Sequence, residues 1–223
     1  MSDLEQVQKD VEEKGSDVGA SHFLFLDVSS TCTGYCIAEL DFVTKRAKVT
    51  KAGVLWFDSK WDHQKKYAYV GNAVLTYFEV VEQIDYIVHE SYSINMSKRM
   101  GAMVCPEMIG VIKWAAEENN TTVSDITPQT WRKQLVIKPD MHIVKGGKKK
   151  RDYKDPTKVK ISELMEVPEK SVSNITGNER TTPSDMYDAL GVCFGWLTKF
   201  GFKIKCSKCE FNTHIGTGIG VNQ

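Results

Sequence analysis

The sequence predicts one α/β domain built on a five-stranded mixed sheet, three strands antiparallel and two parallel, flanked by helices. Three observations carry that expectation. Residues 22–56 hold three apolar runs separated by turn residues, and they read as an antiparallel meander. From residue 64 onward, helical and strand-like periods alternate, the pattern of helices packed on a sheet with parallel strands. With 223 residues, 41% of them hydrophobic, the chain is long enough for one substantial core and short for two.

Phe23-Leu24-Phe25-Leu26-Asp27-Val28 is a continuous apolar run closing on an acid, which suits a strand buried on both faces. Ser29-Ser30-Thr31-Cys32-Thr33-Gly34 is turn chemistry, after which Tyr35–Leu40 and Ala47–Trp56 supply the second and third strands. Residues 64–82 place Tyr67, Val70, Val74, Tyr77, Phe78 and Val81 at helical spacing. Asp85–Glu90 is a fourth strand that again ends in an acid. Gly101–Glu118 reads as a helix with Met103, Met108, Ile109, Ile112 and Trp114 as its buried or interfacial stripe. Thr122–Ile126 is the fifth strand, and Thr127-Pro128 opens the next helix with a capping residue and a proline in the first turn. Helical spacing returns around Val159, Ile161 and Leu164, and a last helix begins near Pro183.

Ser184-Asp185-Met186-Tyr187-Asp188 is the most informative stretch. Two carboxylates three residues apart open an otherwise apolar helix, so they share a face about 5–6 Å apart. An acid at a helix start is ordinarily a cap or a partner for the helix dipole, here Asp185 or Ser184, and Thr182 is a further candidate cap. The other acids shift that balance. If the first and fourth strands are parallel neighbours, Asp27 and Glu90 meet at one sheet edge, where α/β sheets bind ligands. The closing helix would add Asp185 and Asp188. Four converging carboxylates repel one another and raise each other's pKa unless a hard divalent cation joins them. Two such ions about 3.5–4 Å apart can drive in-line phosphodiester displacement.

Charge is balanced overall but unevenly placed. Residues 1–21 form an acidic arm expected to be flexible (Asp3, Glu5, Asp10, Glu12, Glu13, Asp17), while Lys145–Lys160 is strongly basic, as a polyanion partner or a solvated loop would require. That arm precedes one domain over residues 22–202, which includes a basic mobile loop at 138–157, and a tail follows from residue 203. No apolar run approaches the about 18 residues of a membrane span, and Met1–Glu5 lacks the basic and apolar regions of a secretory signal. Six cysteines without a dense framework fit a reduced, cytoplasmic compartment.

The motifs together resemble the RuvC family of Holliday junction resolvases. Leu24–Tyr35, with an acid ending the strand and a small-residue turn into Thr33-Gly34, resembles the family's first motif. Ile87-Val88-His89-Glu90-Ser91-Tyr92 is similar to the second. Ile126–Lys133, followed by the lysine-rich stretch to Lys158, resembles the basic third region, and Asp185-Met186-Tyr187-Asp188-Ala189-Leu190 the closing Asp-x-x-Asp-Ala helix. The likeness spans residues 22–200. It implies an RNase H-like fold, a homodimer formed through the 101–118 helix, and Mg²⁺-dependent cutting of four-way and other branched DNA. By that resemblance Asp27, Glu90, Asp185 and Asp188 are catalytic and hold two Mg²⁺, with Mn²⁺ as a substitute, and neither a membrane nor a nucleotide cofactor is involved. Tyr92, Arg132, Lys133, Lys148, Lys149, Lys150, Arg151, Lys154 and Lys158 would contact DNA.

Departures from the family pattern are specific. Val28-Ser29-Ser30 stands where bacterial members favour Pro-Gly-Ser, which points to a divergent, viral relative in a bacterial or infected host cell. The position three after the Glu, aromatic in many members, is Ser93, with Tyr92 one earlier as either a junction wedge or an ordinary strand-end aromatic. Other features have plainer readings. Cys206-Ser207-Lys208-Cys209 with His214 is half of a zinc ribbon that lacks its second pair. Gly216–Gly220 has no strand before it or helix after it, so it is not a dinucleotide loop. His89 should point to the sheet face opposite Glu90. Two rivals remain: an actin-like phosphotransferase, which would need a duplicated fold, and a non-catalytic DNA-binding relative, which would have lost acids that are all present here.

Overall fold

The computed structural model describes residues 5–7, 9, 20–81, 83–92, 103–143, 149–172, 178–205 and 210–211. Its centre is the expected meander: β1 (Ser21–Val28), β2 (Cys32–Asp41) and β3 (Arg46–Trp56), each antiparallel to the next. A register shift at Ile37/Ala38 marks a bulge between β2 and β3. β4 (Tyr86–Glu90) lies parallel to β1, and β5 (Thr122–Ile126) parallel to β4. These five strands are the predicted sheet. It is extended at the β3 edge by β10 (Lys203–Lys205) and β11 (Glu210–Phe211), both parallel to β3. Part of the expected tail is therefore strand, in segments of three and two residues that are too short to leave a periodic signature.

Alternate residues of β1 divide between two cores, as a strand covered on both faces requires. Leu24 and Leu26 pack with Ile87, Phe78, Met108 and Ile112, against α1 (His63–Asn72) and α2 (Val104–Glu118). Phe23 and Phe25 pack with Val88, Trp131, Phe194 and Trp196, against α3 (Pro128–Gln134) and α5 (Ser184–Lys199). α5 is buried almost all round from Met186 to Leu197, so it behaves as a core helix rather than a surface one. The predicted 64–82 helix is α1, capped by Asp62, and it continues as a π-helical segment, Ala73–Val81. Of the stripe expected on α2, Met108, Ile109 and Ile112 are buried, whereas Met103 and Trp114 are 52% and 55% exposed.

Two further expectations change. The 138–157 basic loop contains an antiparallel hairpin, β6 (Asp140–Ile143) with β7 (Lys149–Asp152), and the start of α4 (Lys154–Leu164). Among the described residues that hairpin pairs with no other sheet, and the alternation seen in core strands is missing from its sequence. A second small pair, β8 (Lys170–Val172) with β9 (Glu179–Thr181), precedes α5. In the acidic arm, residues 5–7 are helical and Val7 is buried in the α5-side core. The Cys206/Cys209/His214 half-site and Gly216–Gly220 lie outside the described residues.

Candidate active site

The β1–β4 register pairs Leu26 with His89, so Asp27 and Glu90 follow at one level. They lie on the face of Phe25 and Val88, which is the face that α5 covers. Directly across the β1–β2 ladder, Asp27 is paired with Gly34. A Cβ on Gly34 would stand 2.0 Å from the Asp185 carbonyl oxygen, 2.4 Å from its carbon and 2.9 Å from the Met186 nitrogen. Glycine is what lets the first turn of α5 rest on β2 beside Asp27. The second acid, Asp188, follows one turn along. All four carboxylates, Asp27, Glu90, Asp185 and Asp188, are half-buried, at the boundary between core and solvent.

None of the three candidate caps closes α5. Pro183 occupies the cap position without a side-chain bond, and the Thr182 hydroxyl donates instead to the Pro168 carbonyl at 2.7 Å. Asp185 sits in the first turn, where the helix dipole favours its charge.

Electrostatics bind the acids into one unit. Burial first, and then the charges of Glu90, Asp188 and Asp185, push Asp27 well above the ordinary carboxylate range, against the pull of Arg132. Asp188 is pushed up to about 7 by burial, Glu90 and Asp185, with Arg132 and Lys154 opposing. Glu90 is raised mainly by burial and also by Asp185, while a bond from Trp131 and the Arg132 charge act the other way. Mutual elevation of this kind is the mark of carboxylates that share a site.

The nearest positive charge is built in. Arg132 Nη2 stands 3.8 Å from Asp188 Oδ1, and its guanidinium lies against the rings of Trp131 (4.6 Å) and Tyr153 (4.7 Å). Arg132 Nε is buried and has no hydrogen-bond partner among the described residues. Trp131 Nε1 donates to Glu90 Oε2 at 2.6 Å. The turn after β1 is held by Ser29, whose hydroxyl donates to the Cys32 carbonyl at 2.8 Å, and by Lys66, whose Nζ donates to the Ser30 carbonyl at 2.8 Å.

The donor set suits a hard divalent ion: four oxygen ligands, half-buried, each repelling the others. Among the described residues, no three His, Cys, Asp or Glu side chains stand at the mutual spacing of an assembled metal centre. The protein therefore holds four mutually repelling carboxylates at one edge of the sheet, with Arg132 supplying the local counter-charge.

Of the residues expected to meet DNA, Arg132 and Lys154 lie close enough to Asp188 to oppose the rise in its pKa. Lys133 and Lys158 are exposed, and Lys158 Nζ lies 5.6 Å from the Tyr187 ring centroid. Arg151 is exposed on β7, opposite Met141. Lys149 and Lys150 belong to the same strand, and Lys148 lies outside the described residues. Tyr92 is half-buried two residues past the end of β4, and Ser93 is outside the described residues.

Sequence reasoning missed three groups. Trp131 lies inside the third motif without standing out from it, yet it holds Glu90. Its signal was available in Gly191 and Gly195, two glycines one turn apart inside an apolar helix, which mark a close approach by another element. The Cys32 thiol bonds to Asp185, and burial with the charge of Asp185 raises its pKa. Cys105, at the start of α2, is raised by burial and by the charges of Asp27 and Asp185. Neither thiol carries a periodic or spacing signal.

No protein-family model matches the sequence, and no curated protein does either. Solved structures do match. RuvC from Thermus thermophilus in complex with a Holliday junction substrate aligns over 81% of this chain and 96% of its own, at 13% identity and a TM-score of 0.56. The yeast mitochondrial Holliday junction resolvase Ydc2 aligns over 89% of this chain and 87% of its own, at 13% identity and a TM-score of 0.51. The chain has the RNase H-like fold of RuvC-type resolvases.

Proposed function

We propose that this chain is a divalent-metal-dependent, structure-selective endonuclease that resolves Holliday junctions and related branched DNA by phosphodiester hydrolysis. One observation carries the reading: Asp27, Glu90, Asp185 and Asp188, from two strand ends and one helix start, form a single electrostatic unit on a fold shared with RuvC-type resolvases. A purely structural cluster of half-buried acids would be a standing cost, because each raises the energy of its neighbours' charged forms.

Asp27, Glu90, Asp185 and Asp188 would hold the ions, Mg²⁺ or Mn²⁺. When bound, such ions supply an activated water and stabilise the leaving oxygen of the cut strand. The chain's own contribution is placement and charge. Gly34 seats the α5 carboxylates beside Asp27, and Trp131 holds Glu90. Arg132, braced by Trp131 and Tyr153, offers a guanidinium at the edge of the acids, where a scissile phosphate would need a cation. Lys133, Lys154 and Lys158 extend that positive rim, and the β6–β7 hairpin with Lys148–Arg151 would track the backbone beyond it. Tyr92, at the exit of β4, is the candidate to stack at the junction centre.

The homodimer belongs to the same proposal. Met103 and Trp114 leave an apolar surface on α2 that a second copy would cover. Among the described residues no helix is long and apolar enough to cross a membrane, and Cys32, Cys36, Cys105 and Cys193 are free thiols, which a reducing cytoplasm would preserve.

The test is cleavage of a labelled four-way junction with Mg²⁺, beside flaps, Y-forks and plain duplex. The junction should be cut in preference to duplex. Asp27→Asn and Asp185→Asn should bind it as the parent does and leave it uncut. Equal cutting by parent and variants would sink the assignment.

A further inference from the structure

Trp131 is fully buried, and its surroundings are more specific than a core tryptophan needs. A Cβ on Gly195 would stand 2.5 Å from Trp131 Cβ and 2.7 Å from its Cα, and one on Gly191 would stand 2.6 Å from Cζ3 of the ring. The backbone of α3 thus touches α5 at Gly195, and the indole runs over Gly191. Positions 188, 191 and 195 share one face of a helix, so the stripe along which the ring lies is the one that carries Asp188. At its far end the indole N–H meets Glu90 Oε2 at 2.6 Å, the short contact of a charge-assisted bond. Its other neighbour is the Arg132 guanidinium, 4.6 Å from the ring.

We propose that Trp131 is the positioning residue of the acidic centre, clamping the Glu90 carboxylate from the Gly191/Gly195 notch of the helix that bears Asp185 and Asp188. The inference rests on the nuclease reading above and deepens it. The N–H occupies one carboxylate oxygen of Glu90 and leaves the other for a metal. Because the ring is wedged on α5, β4 and α5 cannot drift apart without breaking this bond. The arrangement also sets Arg132, the next residue, at the rim. One side chain therefore fixes the relative placement of acids that are far apart in sequence. A tryptophan serving only the core would need some hydrogen-bond acceptor; here the acceptor is one of the four carboxylates.

Trp131→Phe keeps most of the ring and removes the donor. Supporting groups around metal ligands typically change metal affinity by about 10–100-fold when lost. Titration calorimetry of the DNA-free protein with Mn²⁺ should show a loss of that size in the variant. Its metal-free unfolding temperature should stay within a few degrees of the parent. Equal Mn²⁺ affinity in parent and variant overturns the inference alone, whereas a parent that binds no Mn²⁺ overturns the nuclease reading and this inference with it. Should the Phe variant not fold, the parent fold carries a second measurement. The chain has five tryptophans, and each gives one indole N–H resonance. Glu90→Ala should move one of them upfield and hasten its exchange, and Mn²⁺ should broaden that same resonance in the parent. A spectrum in which Glu90→Ala moves none of the five overturns the proposal.

Discussion

Consecutive residues on β4, His89 and Glu90, face opposite sides of the sheet and meet opposite treatment. His89 is 3% exposed on the side of α1 and α2, and its Nδ1 is satisfied by the Glu90 carbonyl at 2.9 Å. Burial holds it below the usual histidine range, with Lys113 nearby pushing the same way, so it rests neutral. Glu90, on the side of α5, keeps partial contact with solvent and is raised both by burial and by a neighbour of its own sign, Asp185. Both groups pay desolvation. Only the second also raises other acids, Asp27 and Asp188, and so belongs to a set of like charges that a ligand would relieve. A shifted titration thus points to function when several groups of one sign share it, and to packing when burial dominates in a group that stands apart from them.

The contrast can be broken most severely at Gly34. The Cβ of Gly34→Ala would collide with the Asp185 peptide, so either β2 or the first turn of α5 must retreat. Forced repacking of this kind costs about 1–3 kcal/mol. Because the turn that moves carries Asp185, cleavage should fall by about 100-fold, the scale of a roughly 1 Å misplacement at an active site. Single-turnover cutting of a four-way junction together with chemical denaturation measures both effects. Full activity would show that α5 does not need its seat on β2.

A second, smaller break lies in the basic rim. Replacing Lys148, Lys149, Lys150 and Arg151 by neutral residues should weaken binding to junction and duplex alike. If each meets a phosphate, the slope of log affinity against log salt should shrink by about 3–4. An unchanged slope would remove the β6–β7 hairpin from the footprint while leaving the acidic centre untouched.

Most of the centre was legible in the sequence because strand ends and helix starts are local features. Asp27 and Glu90 close apolar runs, Asp185 and Asp188 open one, and the period of two alone places His89 away from Glu90. The rest depended on tertiary contacts. The indole bond joins residues 41 apart in sequence, and although Gly191 and Gly195 mark a close approach on α5, nothing local names Glu90 as the acceptor. Among the described residues the hairpin of β6 and β7 pairs only with itself, and its sequence reads as a charged loop. The π-helical turns of Ala73–Val81 follow the same apolar spacing as an α-helix and could not be told from one. The absent cap of α5 is legible only once Thr182 is seen bonded to Pro168.

Titration offers a gentler way to sharpen the comparison. Asp27, Glu90 and Asp188 are raised, so between about pH 4 and about 7, the window set by Asp188, the folded protein binds more protons than the unfolded chain. Without divalent ions, stability from this source is complete at the acid end and is lost as pH rises through that window. Melting temperatures in EDTA should fall by several degrees between pH 5 and 8, and Mg²⁺ should restore the loss at pH 8 by binding the ionised acids. A flat EDTA profile would mean that the four acids do not share a site.

His89 has the opposite sign and the smallest expected effect. Its folded pKa lies below the ordinary 6.5, so the unfolded chain takes up its proton first and stability is lost as pH falls below about 6.5. In the parent this loss partly offsets the gain from the carboxylates. His89→Leu removes a buried nitrogen, Nε2, that has no hydrogen-bond partner among the described residues, and keeps an apolar side chain against the α1–α2 core. Net stability near pH 8 should change by no more than about 1 kcal/mol, since deleting an unpaired polar atom offsets imperfect packing. The fall in melting temperature between pH 5 and 8 should then steepen, because the opposing histidine is gone. Junction cleavage should stay within about twofold of the parent, the change expected of a residue that touches neither substrate nor the acids. Loss of cutting in His89→Leu at unchanged stability would place the histidine in the chemistry and erase the distinction between the two faces of β4.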